Sequence, residues 1–130
     1  MNTLTQPLRD EHKDLFPHVD RIRQAAELIG EASIAEIRRG VDEVYDFLAN
    51  HLKPHAEAEE AALYPVVQKF LGSPDATKTM TRDHVEVGFY IEELASLRNA
   101  LVGEVLTIAQ SKSLQRVLYG VYGLVKVHFA

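Results

Sequence analysis

The feature that most constrains this chain is the spacing of its apolar residues, which recur every three or four positions in four separate segments. Such spacing places apolar side chains on one face of an α-helix, and no segment alternates over the length of a strand. Each row of apolar residues on one helix face forms a seam. The first seam ends at Gly30, and the second begins after Ser33, which precedes Glu36 in a capping-box pattern. The sequence therefore predicts an all-α protein.

Breaks between the seams predict the remaining helix ends. The second seam stops near Gly72, and the third covers residues 74–103, with a proline to open it and a glycine to close it. Residues 104–110 are read as either a loop or a short helical turn. The fourth helix is then expected to start near Ser111 or Ser113.

Two prolines, Pro54 and Pro65, fall inside the second seam. Because a proline cannot donate to the carbonyl four residues earlier, we expect a kink at each with the helix continuing. The alternative is two helices broken at Pro54. Short loops make consecutive helices antiparallel neighbours, so we predict that residues 1–130 form a single domain, an antiparallel up-down-up-down four-helix bundle.

Composition excludes several classes of function. A net charge of −5 argues against nucleic acid or an anionic membrane as the main partner. The absence of cysteine excludes disulfides, thiolate metal sites and cysteine nucleophiles. The N-terminus lacks a basic segment followed by an apolar run, and no stretch approaches the roughly 20 apolar residues of a membrane span. We therefore expect a cytoplasmic protein.

Four histidines interrupt the apolar seams, one on each predicted helix: His12, His55, His84 and His128. A buried imidazole needs a partner for each nitrogen. At about 1.5 Å per residue, the four histidines fall within about one helical turn of the same height in an antiparallel bundle. Glu59 follows His55 by one turn and faces the same way. A shared metal accounts for this set, and the alternative is core histidines that each bond to a backbone carbonyl.

Other polar residues near this level are harder to assign. His51 lies one turn before His55 and is a further ligand, a hydrogen-bond donor to a ligand, or a partly buried side chain beside the site. Glu60 is turned about 140° from His55 and is either a further ligand or part of a solvated acidic face. The tyrosines could donate hydrogen bonds near a metal, but they show no fixed spacing to the ligands, so packing at the edge of the core is expected: Tyr45, Tyr64, Tyr90, Tyr119 and Tyr122.

The candidate ligands offer nitrogen and oxygen but no sulfur, which suits Fe, Mn, Zn or Cu. None of the histidines has a glutamate three residues before it, as the ferritin-like bundles require. The sequence also lacks the His-Glu-x-x-His and Gly-x-Ser-x-Gly motifs and a phosphate-binding glycine loop. Hydrolase and nucleotide chemistry therefore have no support.

The order of these residues resembles the hemerythrin-like (HHE cation-binding) domain over nearly the whole chain. The matching segments are Asp10–His12, His55–Glu60, Leu63–Pro65, Asp83–His84 and Val127–Phe129. The resemblance implies a non-haem di-iron site with oxo or hydroxo and carboxylate bridges, in which Zn or Mn can substitute for iron. It implies these metal ligands, with Glu59 as a bridging candidate: His12, His55, Glu59, His84 and His128.

The chain departs from the family pattern at two points. Gly88 stands where the oxygen-carrying hemerythrins have a second histidine on the third helix, which argues against classical reversible oxygen carriage. The given sequence ends two residues after His128, and the family pattern places a carboxylate about one turn later. We expect either a fourth helix that is cut short or a site without its second bridging carboxylate. In both cases we expect partial metal occupancy.

The resemblance leads to one main functional hypothesis and its rivals. The main hypothesis is a di-iron protein that binds, senses or reacts with O₂, peroxide or related small molecules. Enzymatic activity stays open, as peroxide dismutation or oxidase-type chemistry. The rival is a regulatory or interaction module with a single structural Zn or Fe. A haem bundle is a distant third, because Glu59 would have no role in it. Oligomeric state and protein partner stay open.

Overall fold

The computed structural model describes the backbone of residues 6–62, 64–72 and 78–129, with side chains in these ranges except at 6–9, 11–12, 79–80 and 128–129. Throughout these ranges the secondary structure is helical, with no strand, so the all-α prediction is confirmed. The elements are α1 (Gln6–Leu28), α2 (Ile34–Phe47), a π-helical turn (Leu48–Leu52), α3 (Lys53–Ala62), α4 (Tyr64–Leu71), α5 (Lys78–Asn99) and α6 (Ile108–Phe129).

The long helices pack in a closed ring, in which α1 contacts α2, α2 contacts α5, α5 contacts α6, and α6 returns to α1. Helix α3 contacts both α1 and α5. The predicted seams supply the core of this helical bundle, and its fully buried side chains include Ile22, Val41, Leu48, Leu94, Leu114, Leu118, Val121 and Val125. None of the described helices is long and apolar enough to cross a membrane. The up-and-down direction of the helices stays a prediction.

Glycine ends two helices where the sequence predicted it. Gly30 and Gly72 follow α1 and α4 with φ of 86° and 69°, a conformation that a side chain disfavours. The predicted end of the third helix at Gly103 was wrong, because α5 ends at Asn99. Arg38 of α2 donates to the carbonyl oxygen of Leu101 (2.8 Å) and to that of Gly103, so a side chain satisfies groups that a longer helix would have paired.

The predicted start of the fourth helix at Ser111 or Ser113 was also wrong, because α6 begins at Ile108. The Thr107 hydroxyl accepts from the Gln110 amide (3.0 Å), and the Gln110 side chain accepts from the Thr107 amide (2.9 Å). This reciprocal pair is a capping box, so the segment read as ambiguous contains a helix start. The predicted start of the third helix, near residue 74, lies outside the described residues.

The helix continues through Pro54, so the alternative of a break there was wrong. A π-helical turn precedes the proline, and the Lys53 amide donates to the Leu48 carbonyl in its wide ring. Further along, the second seam places Val66 on the buried face. In the structure Val66 is exposed and Tyr64 is buried instead. This change of face falls beside Pro65, whose ring removes the hydrogen bond to the carbonyl four residues earlier.

Candidate metal centre

Helix α3 carries a buried imidazole and a buried carboxylate one turn apart. His55 Nε2 lies 2.9 Å from Glu59 Oε1, and the two side chains are 0% and 5% exposed. They are the buried polar residues among the described side chains. Removing both groups from water is costly, and their mutual attraction offsets only part of that cost. The sequence predicted this pairing from the one-turn spacing, and the structure brings the two side chains together.

A second cluster joins α3 to α5. His84 Nδ1 lies 3.0 Å from Glu60 Oε1. The His84 side chain is 9% exposed, and that of Glu60 is 41% exposed. The Tyr64 ring stacks on the His84 ring, with centroids 5.6 Å apart and planes 18° apart. Glu60, for which the sequence left two roles open, therefore bonds to a candidate ligand and is only half exposed.

Tyr64 links the two clusters electrostatically. Burial raises the pKa of Tyr64, and the negative charges of Glu59, Glu60 and Asp83 raise this pKa further. The phenol therefore stays protonated at neutral pH and can donate a hydrogen bond. Its oxygen lies 3.2 Å from His84 Nε2 and 3.4 Å from Nδ1.

The expectation that Tyr64 packs ordinarily at the edge of the core was wrong, because its hydroxyl faces a candidate ligand. The usable signal was local: Tyr64 follows Glu60 by one helical turn, the same interval that links Glu59 to His55. The contact between Tyr64 and His84 joins two helices, and no spacing in the sequence predicts it.

Two spaces adjoin His84. A cavity of about 20 Å³, enough for about one water molecule, is lined by Leu52, Ala56, Asp83, His84, Val87, Leu124 and Val125. An open groove of about 140 Å³ on the outer side is lined by Lys53, Ala56, Glu57, Glu60, His84, Val85, Val87, Gly88 and Ile91. A Cβ atom at Gly88 would meet nothing within 4 Å, so the missing second histidine leaves open space there.

The remaining candidates divide into two groups. His12 and His128 lie on the described helices α1 and α6, but their side chains are outside the described residues. The His51 side chain is 58% exposed, with Nε2 3.8 Å from Asp46 Oδ2. Its exposure shows that the expectation of a partly buried side chain was wrong, and it argues against a role for His51 as a ligand or as a donor to one. The wide π turn contains His51, and angle counting for an ideal helix fails there.

Among the side chains that the structure describes, no three histidine, aspartate or glutamate residues form a group that could hold a metal ion. The described part therefore shows a buried pair, His55–Glu59, and a flanking pair, His84–Glu60. The buried pair fits a metal in its chemistry: neutral imidazole and carboxylate are ligands of Fe, Mn and Zn, and a cation would balance the buried negative charge.

A comparison with protein-family models matches residues 3–130 to the hemerythrin HHE cation-binding domain. The match spans the ring of helices and includes every candidate ligand. Searches of the curated proteins and of the solved structures gave no significant match.

Proposed function

The chain belongs to the hemerythrin HHE cation-binding family, and from this premise we propose that it holds a non-haem di-iron centre at which it binds, senses or reacts with O₂, peroxide or a related small molecule. The proposed ligands are His12, His55, Glu59, His84 and His128. The observation that carries the proposal is the buried His55–Glu59 pair, 2.9 Å apart inside the bundle.

The chain's own residues would perform distinct tasks at this centre. Glu59 supplies the negative charge that a buried cation requires, and His55 supplies a nitrogen ligand on the same helix face. Bound iron would supply redox chemistry toward O₂ or peroxide. The apolar residues around the 20 Å³ cavity, such as Val87 and Val125, limit the water that reaches His84. The cavity admits a molecule of about the size of water, which suits a diatomic ligand or peroxide.

The metal content of the purified chain tests the proposal. We expect two irons per chain when the site is loaded, with the visible absorption of a bridged di-iron centre. His55→Ala is expected to lose most of the iron, since it removes a buried ligand. His51→Ala is the matched control, because it removes an exposed histidine one turn away and should retain the iron. One colourless zinc per chain would contradict the di-iron proposal and support a single structural metal.

The reaction of the iron-loaded chain with peroxide distinguishes a catalytic role from a binding or sensing role. If the centre dismutates peroxide, the iron-loaded chain evolves O₂, and His55→Ala abolishes this evolution while His51→Ala retains it. A loaded chain that leaves peroxide unchanged, and whose visible spectrum shifts under O₂, supports binding or sensing. A loaded chain that responds to neither molecule contradicts the proposed function.

A further inference from the structure

Glu60 holds one nitrogen of His84 across the α3–α5 interface. The carboxylate oxygen Oε1 is 3.0 Å from Nδ1, and Glu60 extends into the open groove while the His84 ring is nearly buried. An ionised carboxylate only accepts hydrogen bonds, so its partner nitrogen must carry a proton. In a neutral imidazole the proton therefore sits on Nδ1, and Nε2 carries the lone pair that a metal requires.

Tyr64 contacts the face of the His84 imidazole, whereas Glu60 contacts its edge. Its hydroxyl oxygen is almost equally far from both ring nitrogens, 3.2 Å and 3.4 Å, and the two rings are nearly parallel. The oxygen therefore lies over one face of the imidazole and not in line with either lone pair. The buried phenol limits tilting of the His84 ring, while Glu60 limits its rotation.

We propose that Glu60 and Tyr64 are positioning residues for His84: Glu60 selects the tautomer in which Nε2 is the metal-binding nitrogen, and Tyr64 holds the plane of the ring. The inference rests on the proposed function, which makes His84 a ligand. It assigns Glu60 a role beside the metal ligands and not among them. Carboxylates that hold a ligating histidine in this way commonly account for 10–100-fold in metal affinity.

Glu57 provides a matched control on the same helix. It lines the same groove as Glu60 and carries the same charge, but no ion pair joins it to a histidine whose side chain is described. Glu57→Ala and Glu60→Ala therefore remove equal charge from one surface, and only the second removes the partner of His84.

The first measurement is zinc affinity, by competition with a chelator, in the whole chain. Glu60→Ala is expected to weaken binding by about 10–100-fold relative to the wild type, and Glu57→Ala is expected to leave it unchanged. Tyr64→Leu, which removes the stacked ring, is expected to weaken binding by about tenfold, and Tyr64→Phe, which keeps the ring, is expected to change it much less. An unchanged affinity in Tyr64→Leu would overturn the role of Tyr64. Equal affinities of Glu60→Ala and Glu57→Ala would overturn the role of Glu60.

The second measurement is the tautomer of His84 in the metal-free chain, by nitrogen-15 NMR of the imidazole. We expect a proton on Nδ1 in the wild type and in Glu57→Ala, and loss of that preference in Glu60→Ala. A merely structural role for Glu60 would not produce this change. A wild type with the proton on Nε2 overturns the inference even if it binds two irons. A wild type with the Nδ1 proton that binds no iron contradicts the proposed function and leaves the tautomer assignment standing.

Discussion

At the level of single residues, the His55–Glu59 pair places an imidazole and a carboxylate inside the bundle. Their side chains are 0% and 5% exposed, so both have lost most of their contact with water, which costs free energy. Replacing a buried ion pair by apolar residues of similar volume is often stabilising, whereas removing one partner is strongly destabilising. The pair is therefore better explained by ligand binding than by the stability of the fold.

This explanation predicts opposite effects for a single and a double substitution. In the metal-free chain, Glu59→Leu is expected to lower the free energy of unfolding by about 1–3 kcal/mol, because His55 loses its partner. His55→Leu combined with Glu59→Leu is expected to raise it above the wild type by about 1–4 kcal/mol while abolishing metal binding. Urea unfolding followed by circular dichroism measures both. A double variant less stable than the wild type would show that the pair stabilises the fold.

At the scale of helices, α5 and α6 approach closely because Gly120 has no side chain. A Cβ atom there would lie 2.6 Å from the Tyr90 hydroxyl oxygen and 2.8 Å from its Cζ. Gly123, on the same helix, has nothing within 4 Å of the corresponding position. Both glycines lie inside α6, but Tyr90 leaves no room for a side chain at Gly120, whereas Gly123 has room for one.

The two glycines provide a prediction with an internal control. Gly123→Ala is expected to raise the free energy of unfolding by about 1 kcal/mol, because alanine favours the helix. Gly120→Ala gains the same propensity but displaces the outer end of the half-buried Tyr90 side chain, so it should be less stable than Gly123→Ala by about 1 kcal/mol. Chemical unfolding of both variants measures the difference. Equal stabilities would mean that Tyr90 moves aside without cost.

At the level of the whole molecule, the proposed ligands lie on four helices: α1, α5 and α6, which belong to the ring, and α3, which contacts α1 and α5. A metal bound by all of them would connect helices that are far apart in sequence, and the unfolded chain lacks such a site. Metal binding is therefore coupled to the stability of the bundle as a unit.

This coupling predicts a rise in thermal stability on metal binding. At a free metal concentration about 100-fold above the dissociation constant, the gain is about 2.7 kcal/mol. With an unfolding entropy of about 2.1 cal/mol/K per residue, that gain corresponds to about 10 °C in the unfolding midpoint of a chain of 130 residues. Calorimetry with metal and with a chelator measures the shift. The His55→Leu/Glu59→Leu variant should show none, and an equal midpoint for the wild type in both conditions would contradict the coupling.

The helical class, most of the core and the His55–Glu59 pair could be predicted from the residues alone. These features depend on the periodicity of one helix, in which residues one turn apart share a face whatever the rest of the chain does. The missed start of α6 had a local signal in the capping pattern at Thr107, whereas the end of α5 is followed by carbonyl groups that a distant side chain, Arg38, binds.

The contacts of Glu60 and Tyr64 with His84, and the exposure of His51, became visible once the helices were packed together. Contacts between helices depend on the rotation and offset of each helix axis. A π turn has a wider hydrogen-bonded ring than an α-helix, so the one at Leu48–Leu52 shifts the faces of the residues around it. Such a change moves a side chain from the interior to the surface, and counting residues along a regular helix cannot register it.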